Sequence, residues 1–190
     1  MPTLPPLVQR AKALAAGLGF ESSCTDDVGT VLRLLAASAA SRRIGEIGTG
    51  CGVGTAWLAS GMRPEATITT IDLNHGQSAA AMALFSDLGR VRVITGDWHD
   101  ILPKGPFDLL FVDVRFAKQD EPARVVDSLA VGGIAILDDL TPVELWNDEQ
   151  QQAWADGDPV RRYWLYDKRL IATELRVTAD SSIVLAIRSN

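Results

Sequence analysis

Short β-branched apolar runs alternate along this chain with stretches in which apolar positions recur every three or four residues. Residues 7–18 carry Leu7, Val8, Ala11, Leu14, Ala15 and Leu18 at helical spacing, and Gly17 and Gly19 end that helix. In residues 25–35, Thr25 or Asp26 can cap a helix whose apolar face is Val28, Val31, Leu32 and Leu35. Residues 66–71 read as a strand, and residues 77–88 as a helix with Ala80, Leu84 and Leu88 facing the sheet. Residues 90–95 alternate as a further strand. Residues 107–112 and 132–137 are buried strands flanking a helix at 120–130. Thr141-Pro-Val-Glu144 has the form of a capping box with proline at the first helical position, so a helix is expected from there toward Trp154. Residues 169–178 and 182–188 form a closing hairpin. Strands alternating with helices predict an α/β fold with a doubly wound, mostly parallel sheet and a C-terminal antiparallel hairpin.

Composition narrows this picture without changing it. A chain of 190 residues suits one domain, residues 1–190, with residues 1–24 as a short N-terminal helical extension. A formal net charge of −6 argues against a long basic groove for nucleic acid. Cys24 and Cys51 lack metal-ligand or CxxC spacing, which points to a reducing, cytoplasmic setting. No run is apolar enough to span a bilayer, and the first residues carry no signal-peptide pattern.

The candidate chemistry lies at the strand ends. Glu46-Ile-Gly-Thr-Gly-Cys-Gly-Val-Gly54 joins a strand at 42–45 to a helix at 55–60. Glycines permit positive φ and close approach of a ligand, and a helix start offers unpaired N–H groups. Gly48, Gly50, Gly52 and Gly54 are too closely spaced for a dinucleotide fingerprint. Glu46 would repel a pyrophosphate and attract a cationic amino group, so spacing and charge point to a ligand with an α-amino group. A strand-to-helix turn without a ligand is the competing reading. Asp72 ends the second strand, facing the crevice of an open parallel sheet, where it can accept both ribose hydroxyls. Asp97 can accept from an adenine amino group while Trp98 covers a flat ring, or Trp98 is plain core. His99 has no partner identifiable in sequence and reads as a loop residue. Asp113 and the pair Asp138-Asp139 end two more strands. Three carboxylates there repel one another unless neutralised, so a hard divalent cation with oxygen ligands is expected; otherwise the pair only begins a loop.

Taken in order, Thr25-Asp-Asp-Val-Gly29, Glu46-Ile-Gly-Thr-Gly50, Ile71-Asp72, Phe107-Asp-Leu-Leu-Phe-Val-Asp113 and Gly132-Gly-Ile-Ala-Ile-Leu-Asp138-Asp139 resemble the class I S-adenosylmethionine (SAM) O-methyltransferases of the catechol and caffeoyl-CoA type. The resemblance runs from Thr25 to the final hairpin. It implies a seven-stranded Rossmann-like sheet, SAM as methyl donor, a small hydroxylated acceptor and a homodimer. It also implies donor-site roles for Thr25, Glu46, Gly48, Thr49, Gly50, Gly52, Asp72, Leu73, Asp97, Trp98 and Asp113, and magnesium or a similar ion on Asp113 and Asp138, which Asp139 can join as an extra carboxylate.

Two departures bear on chemistry. Relatives usually have Asp-Asn where this chain has Asp138-Asp139, and a lysine base where it has Phe116. Lys118 is near in sequence and, with Asp113, is the catalytic candidate. Two rival readings follow: a SAM-binding protein that acts by interaction without transfer, motivated by Phe116, and a tRNA-base methyltransferase, opposed by the net charge.

Overall fold

The computed structural model describes residues 3–38 and 40–189. Five parallel strands form the centre of the molecule: β1 (Arg43–Ile47), β2 (Thr67–Asp72), β3 (Val91–Thr95), β4 (Phe107–Val112) and β5 (Leu129–Leu140). The hairpin β6 (Leu170–Arg176) and β7 (Ser182–Arg188) completes a seven-stranded sheet of order β3-β2-β1-β4-β5-β7-β6. β7 pairs antiparallel with both β5 and β6, inserting between them.

The period-2 alternation of the strands sorts their side chains onto two faces. Ile44, Leu109, Phe111 and Ile136 point to one face. There they meet α1 (Pro6–Gly17), α2 (Asp26–Ala36), α3 (Val53–Gly61) and α4 (His75–Leu84). Ile47, Leu110, Val112 and Leu137 point to the other. They pack on α5 (Arg115–Gln119), α6 (Pro122–Asp127) and Trp164 of α8 (Pro159–Trp164). Because both faces are covered, β4 and β5 carry continuous apolar runs, Leu109 to Val112 and Ile134 to Leu137, as buried parallel strands require.

Several boundaries differ from the sequence reading. The helix expected at 120–130 shortens to α6, because Pro122 lacks an N–H and holds Glu121 at φ −130°, ψ 52°, outside the helix, while Leu129 and Ala130 belong to β5; a separate short helix, α5, precedes it. Asn74 starts α4 by accepting from the N–H groups of Gly76 and Gln77, and the helix ends at Leu84. Thr141-Pro-Val-Glu144 does not open a long helix: only a 3-10 turn, Val143–Leu145, forms there. Trp146 donates through Nε1 to the Thr141 carbonyl at 3.1 Å and leaves the helical region. The true capping box is Asn147 with Gln150, opening α7 (Asp148–Ala153).

Candidate functional site

The carboxyl ends of β1, β2 and β4 are stitched together by backbone bonds. Gly48 N–H donates to the Ile71 carbonyl at 2.9 Å, and Asp113 N–H donates to the Ile47 carbonyl at 2.8 Å. Gly48, at φ 101°, lies so close to Asp113 that a Cβ there would come within 3.2 Å of the Asp113 carbonyl oxygen. Absence of a side chain at that position therefore keeps the crevice open.

A cavity of about 180 Å³ opens above this seam, lined by Glu46, Gly48, Thr49, Gly50, Asp72 and Asp113 among others. Glu46 is fully buried. Its Oε2 accepts from Thr55 Oγ1 and, at 2.6 Å, from Thr70 Oγ1, while Oε1 has no partner among the described residues. Burial pushes its carboxyl up to about 7, against the lowering effect of the two hydroxyls. A methyl group on Gly54 would collide with Oε1, so this glycine makes room for the acid. Asp72 spreads its two oxygens over the loops: Oδ2 accepts from Gly50 N–H at 2.7 Å and Oδ1 from Asn74 N–H at 2.8 Å. Thr49 is buried, its hydroxyl 2.6 Å from that of Thr70.

Asp72 and Val114 are shared with a second cavity of about 470 Å³, which also contains Leu73, Asp97, Trp98 and Phe116. Leu73 and Phe116 are exposed large apolar side chains on its walls. Trp98 stacks on His99 with ring centroids 3.7 Å apart and packs partly against the core below, while also lining this cavity. His99 does have partners: its ring bonds Asp97 through Nδ1 and Glu121 through Nε2, the latter at 2.9 Å. Those carboxylates raise the imidazole above its ordinary 6.5.

Asp113 and Asp139 are shared with a third cavity of about 630 Å³. Here one oxygen from each of Asp113, Asp138 and Asp139 lies within 4.8 Å of the others. Asp113 Oδ1 is buried without a partner among the described residues. Burial, then the charge of Asp139, pushes the Asp113 carboxyl well up; burial pushes Asp138 up to about 6. Asp139 adopts φ 60°, in the left-handed region, where the β5 ladder becomes irregular. A set of hard oxygen donors with an orphaned buried oxygen fits a divalent cation.

Lys118 follows Phe116 by two positions on α5, a rotation of about 200° at 3.6 residues per turn. Phe116 accordingly faces the second cavity while Lys118 enters the third, buried, with Nζ donating to the Asp138 carbonyl at 2.7 Å. Trp164 fixes this helix by donating through Nε1 to the Lys118 carbonyl at 2.9 Å.

Two expected donor-site residues lie elsewhere. Thr25 caps α2, accepting from Val28 N–H at 3.3 Å, and lines a neighbouring cavity on the α1 side. Gly52, at φ 87°, turns toward the ring of Phe85, just after α4; its role there is to start α3. Sequence reasoning missed Thr55 and Thr70, although Thr70 precedes Asp72 by two on β2 and so shares its face. It also missed Phe20, Ser22, Ser23 and Cys24, a loop closing over the glycine cavity, whose irregular sequence offers no periodic signal.

A sequence profile of a methyltransferase domain matches residues 46–140. The "Probable O-methyltransferase" of Mycobacterium tuberculosis strain H37Rv is 34% identical over 137 residues, covering 68% of this chain and 59% of that protein. A Mycobacterium marinum relative named as an O-methyltransferase is 32% identical over 138 residues, covering 67% and 59%. The chain thus spans about three fifths of the length of these curated relatives. Among solved structures, an O-methyltransferase of Bacillus cereus in complex with SAH superposes with TM-score 0.81 at 21% identity, covering 99% of this chain and 93% of that one. An O-methyltransferase of tomaymycin synthesis from Streptomyces achromogenes, solved with SAM, gives 0.80 at 22%, covering 99% and 92%. At such identities the likeness is one of fold.

Proposed function

The chain belongs to the methyltransferase-domain family, and from that premise we propose that it transfers a methyl group from SAM to an oxygen of a small hydroxylated acceptor. The observation that carries this reading is the run of three cavities along the strand ends, joined through Asp72 and Val114 and then through Asp113 and Asp139. Such a run suits an elongated donor meeting its acceptor at one end.

Glu46 Oε1, buried and without a partner among the described residues, supports a contact with the donor ammonium. Asp72 is offered for the ribose hydroxyls, with Gly48, Thr49 and Gly50 around the central portion. Leu73, Asp97, Trp98 and Phe116 supply an apolar, aromatic setting for the adenine. When bound, SAM supplies an electrophilic methyl group, and the pocket residues would hold it near the acceptor oxygen. Asp113, Asp138 and Asp139 would hold a divalent ion, whose contribution is to lower the pKa of an acceptor hydroxyl. Lys118 reaches that cluster from the face of α5 opposite Phe116, which supports it as the replacement for the family lysine. A homodimer and a cytoplasmic location complete the reading.

Calorimetric titration with SAM and S-adenosylhomocysteine, followed by transfer of labelled methyl to vicinal diols including catechols, tests it. Binding and transfer are expected, with transfer reduced by a chelator and restored by magnesium. No binding would defeat the reading. Undiminished transfer in chelator would remove the ion, and binding without transfer across the panel would favour the non-catalytic reading.

A further inference from the structure

The third cavity narrows the class of acceptor, on the reading that the adjoining cavities hold SAM. A flat arene is matched by apolar walls, yet here Gln119, Asn147, Glu149 and Gln150 line the space. The capping box uses the carbonyl oxygens of the Asn147 and Gln150 side chains, accepting from Gln150 N–H at 2.8 Å and Asn147 N–H at 3.1 Å. Gln119 Oε1 accepts from Arg115 Nε at 3.3 Å. What these three amides retain for a ligand is their NH₂ groups. Glu149 adds an acceptor, and the buried guanidinium of Arg161 is already engaged by Asp158 at 2.6 Å and by Glu174 at 2.7 Å.

Among these polar groups stands one large ring, Trp154. It is held in place from behind: the Trp146 ring lies 5.1 Å away at 65°, itself tied to the Thr141 carbonyl, with the Arg161 guanidinium 5.9 Å from its centroid. A fixed aromatic surface bordered by amide donors and carboxylates complements a ring that has an apolar C–H face and a rim of hydroxyls, each able to donate and accept.

We propose that the acceptor is a neutral, polyhydroxylated saturated ring, a pyranoside or cyclitol, resting its C–H face on Trp154 and its hydroxyl rim on Gln119, Asn147 and Gln150. In the reaction the methyl group passes from the SAM sulfur to a ring oxygen. The sulfur keeps the bonding electron pair as S-adenosylhomocysteine leaves, and the hydroxyl proton passes to solvent.

The full chain is first titrated with S-adenosylhomocysteine by calorimetry, then, saturated with it, with methyl α-glucopyranoside, methyl α-mannopyranoside, myo-inositol and catechol, read by saturation-transfer NMR. The same compounds are offered with SAM for methyl transfer. Binding through ring C–H protons and transfer are expected for the saturated rings in preference to catechol. Trp154→Leu should weaken their binding about tenfold and Trp154→Phe restore most of it, with S-adenosylhomocysteine affinity unchanged in both. Binding and methylation of catechol with none of the saturated rings overturns the proposal, as does failure of both classes to bind the loaded protein. If Trp154→Leu also loses S-adenosylhomocysteine, Gln119→Leu replaces it, and undiminished pyranoside binding there counts against the proposal. Failure of the unaltered chain to bind S-adenosylhomocysteine defeats the SAM reading, and this inference falls with it.

Discussion

Glu46 is a carboxyl group kept from water, and burial outweighs its two hydroxyl donors, so its proton is held in the folded chain up to about pH 7. Against its ordinary 4.5, the folded state binds more protons than the unfolded one between those values. Stability from this group is therefore complete below pH 4.5 and falls as pH rises through about 7, by on the order of 3 kcal/mol. A cationic ligand group reverses the preference. SAM affinity should rise with pH up to about 7 and then level, and Glu46→Gln should flatten that profile; calorimetry across pH 5 to 8, roughly the range in which the shifted group titrates, reads it directly. Asp139 is constrained by its backbone as much as by its charge. At φ 60° an Asn is accommodated almost as well as an Asp, whereas Ala is strained, so Asp139→Asn should leave the unfolding midpoint near its original value and Asp139→Ala lower stability by about 1 kcal/mol. That acids occupy the strand ends was legible in sequence, because a parallel topology brings such ends to one edge. The destination of Lys118 was not, since it depends on the rotation of a five-residue helix whose start the sequence does not fix.

At the scale of elements, α7 and α8 with their connections form the wall of the third cavity, and one side chain fastens them. Arg161 donates to Asp158 at 2.6 Å, to both oxygens of Glu174 on β6 at 2.7 and 2.8 Å, and to the Thr141 carbonyl at 2.9 Å. Asp158 is buried, so Arg161→Ala would strand a charge and should cost about 3–5 kcal/mol in chemical denaturation, with SAM affinity less affected than acceptor affinity. This wall was the least legible part of the chain. Two capping patterns compete within ten residues, Thr141 with Glu144 and Asn147 with Gln150, and propensity cannot choose between them. The choice is made by Trp146 and Arg161, which claim the Thr141 carbonyl from a distance in sequence. The central strands were legible for the opposite reason: each buries both faces, and its pattern needs no distant partner to be read.

For the whole molecule, the donor reading assigns a ligand to a crevice whose base carries two buried carboxylate oxygens without partners among the described residues. A ligand that binds only the folded chain should stabilise it by about 2.7 kcal/mol at a hundredfold excess over its Kd, seen as a rise in Tm with S-adenosylhomocysteine; an unchanged Tm under saturation would contradict the assigned cavity. No helix among the described residues is long and apolar enough to cross a membrane. The sheet order carries a last consequence. β7 lies between β5 and β6, so the partner that secures Leu137 and Leu140, on either side of the two acids, is Val184 and Ser182. During synthesis from the amino terminus, the first five strands and their helices emerge before that partner exists. The donor side of the crevice is encoded early and the acid cluster is braced late. On the proposed reading, a nascent chain would gain the donor cavity before it could hold an acceptor in register, and the order of assembly would separate the two halves of the site in time.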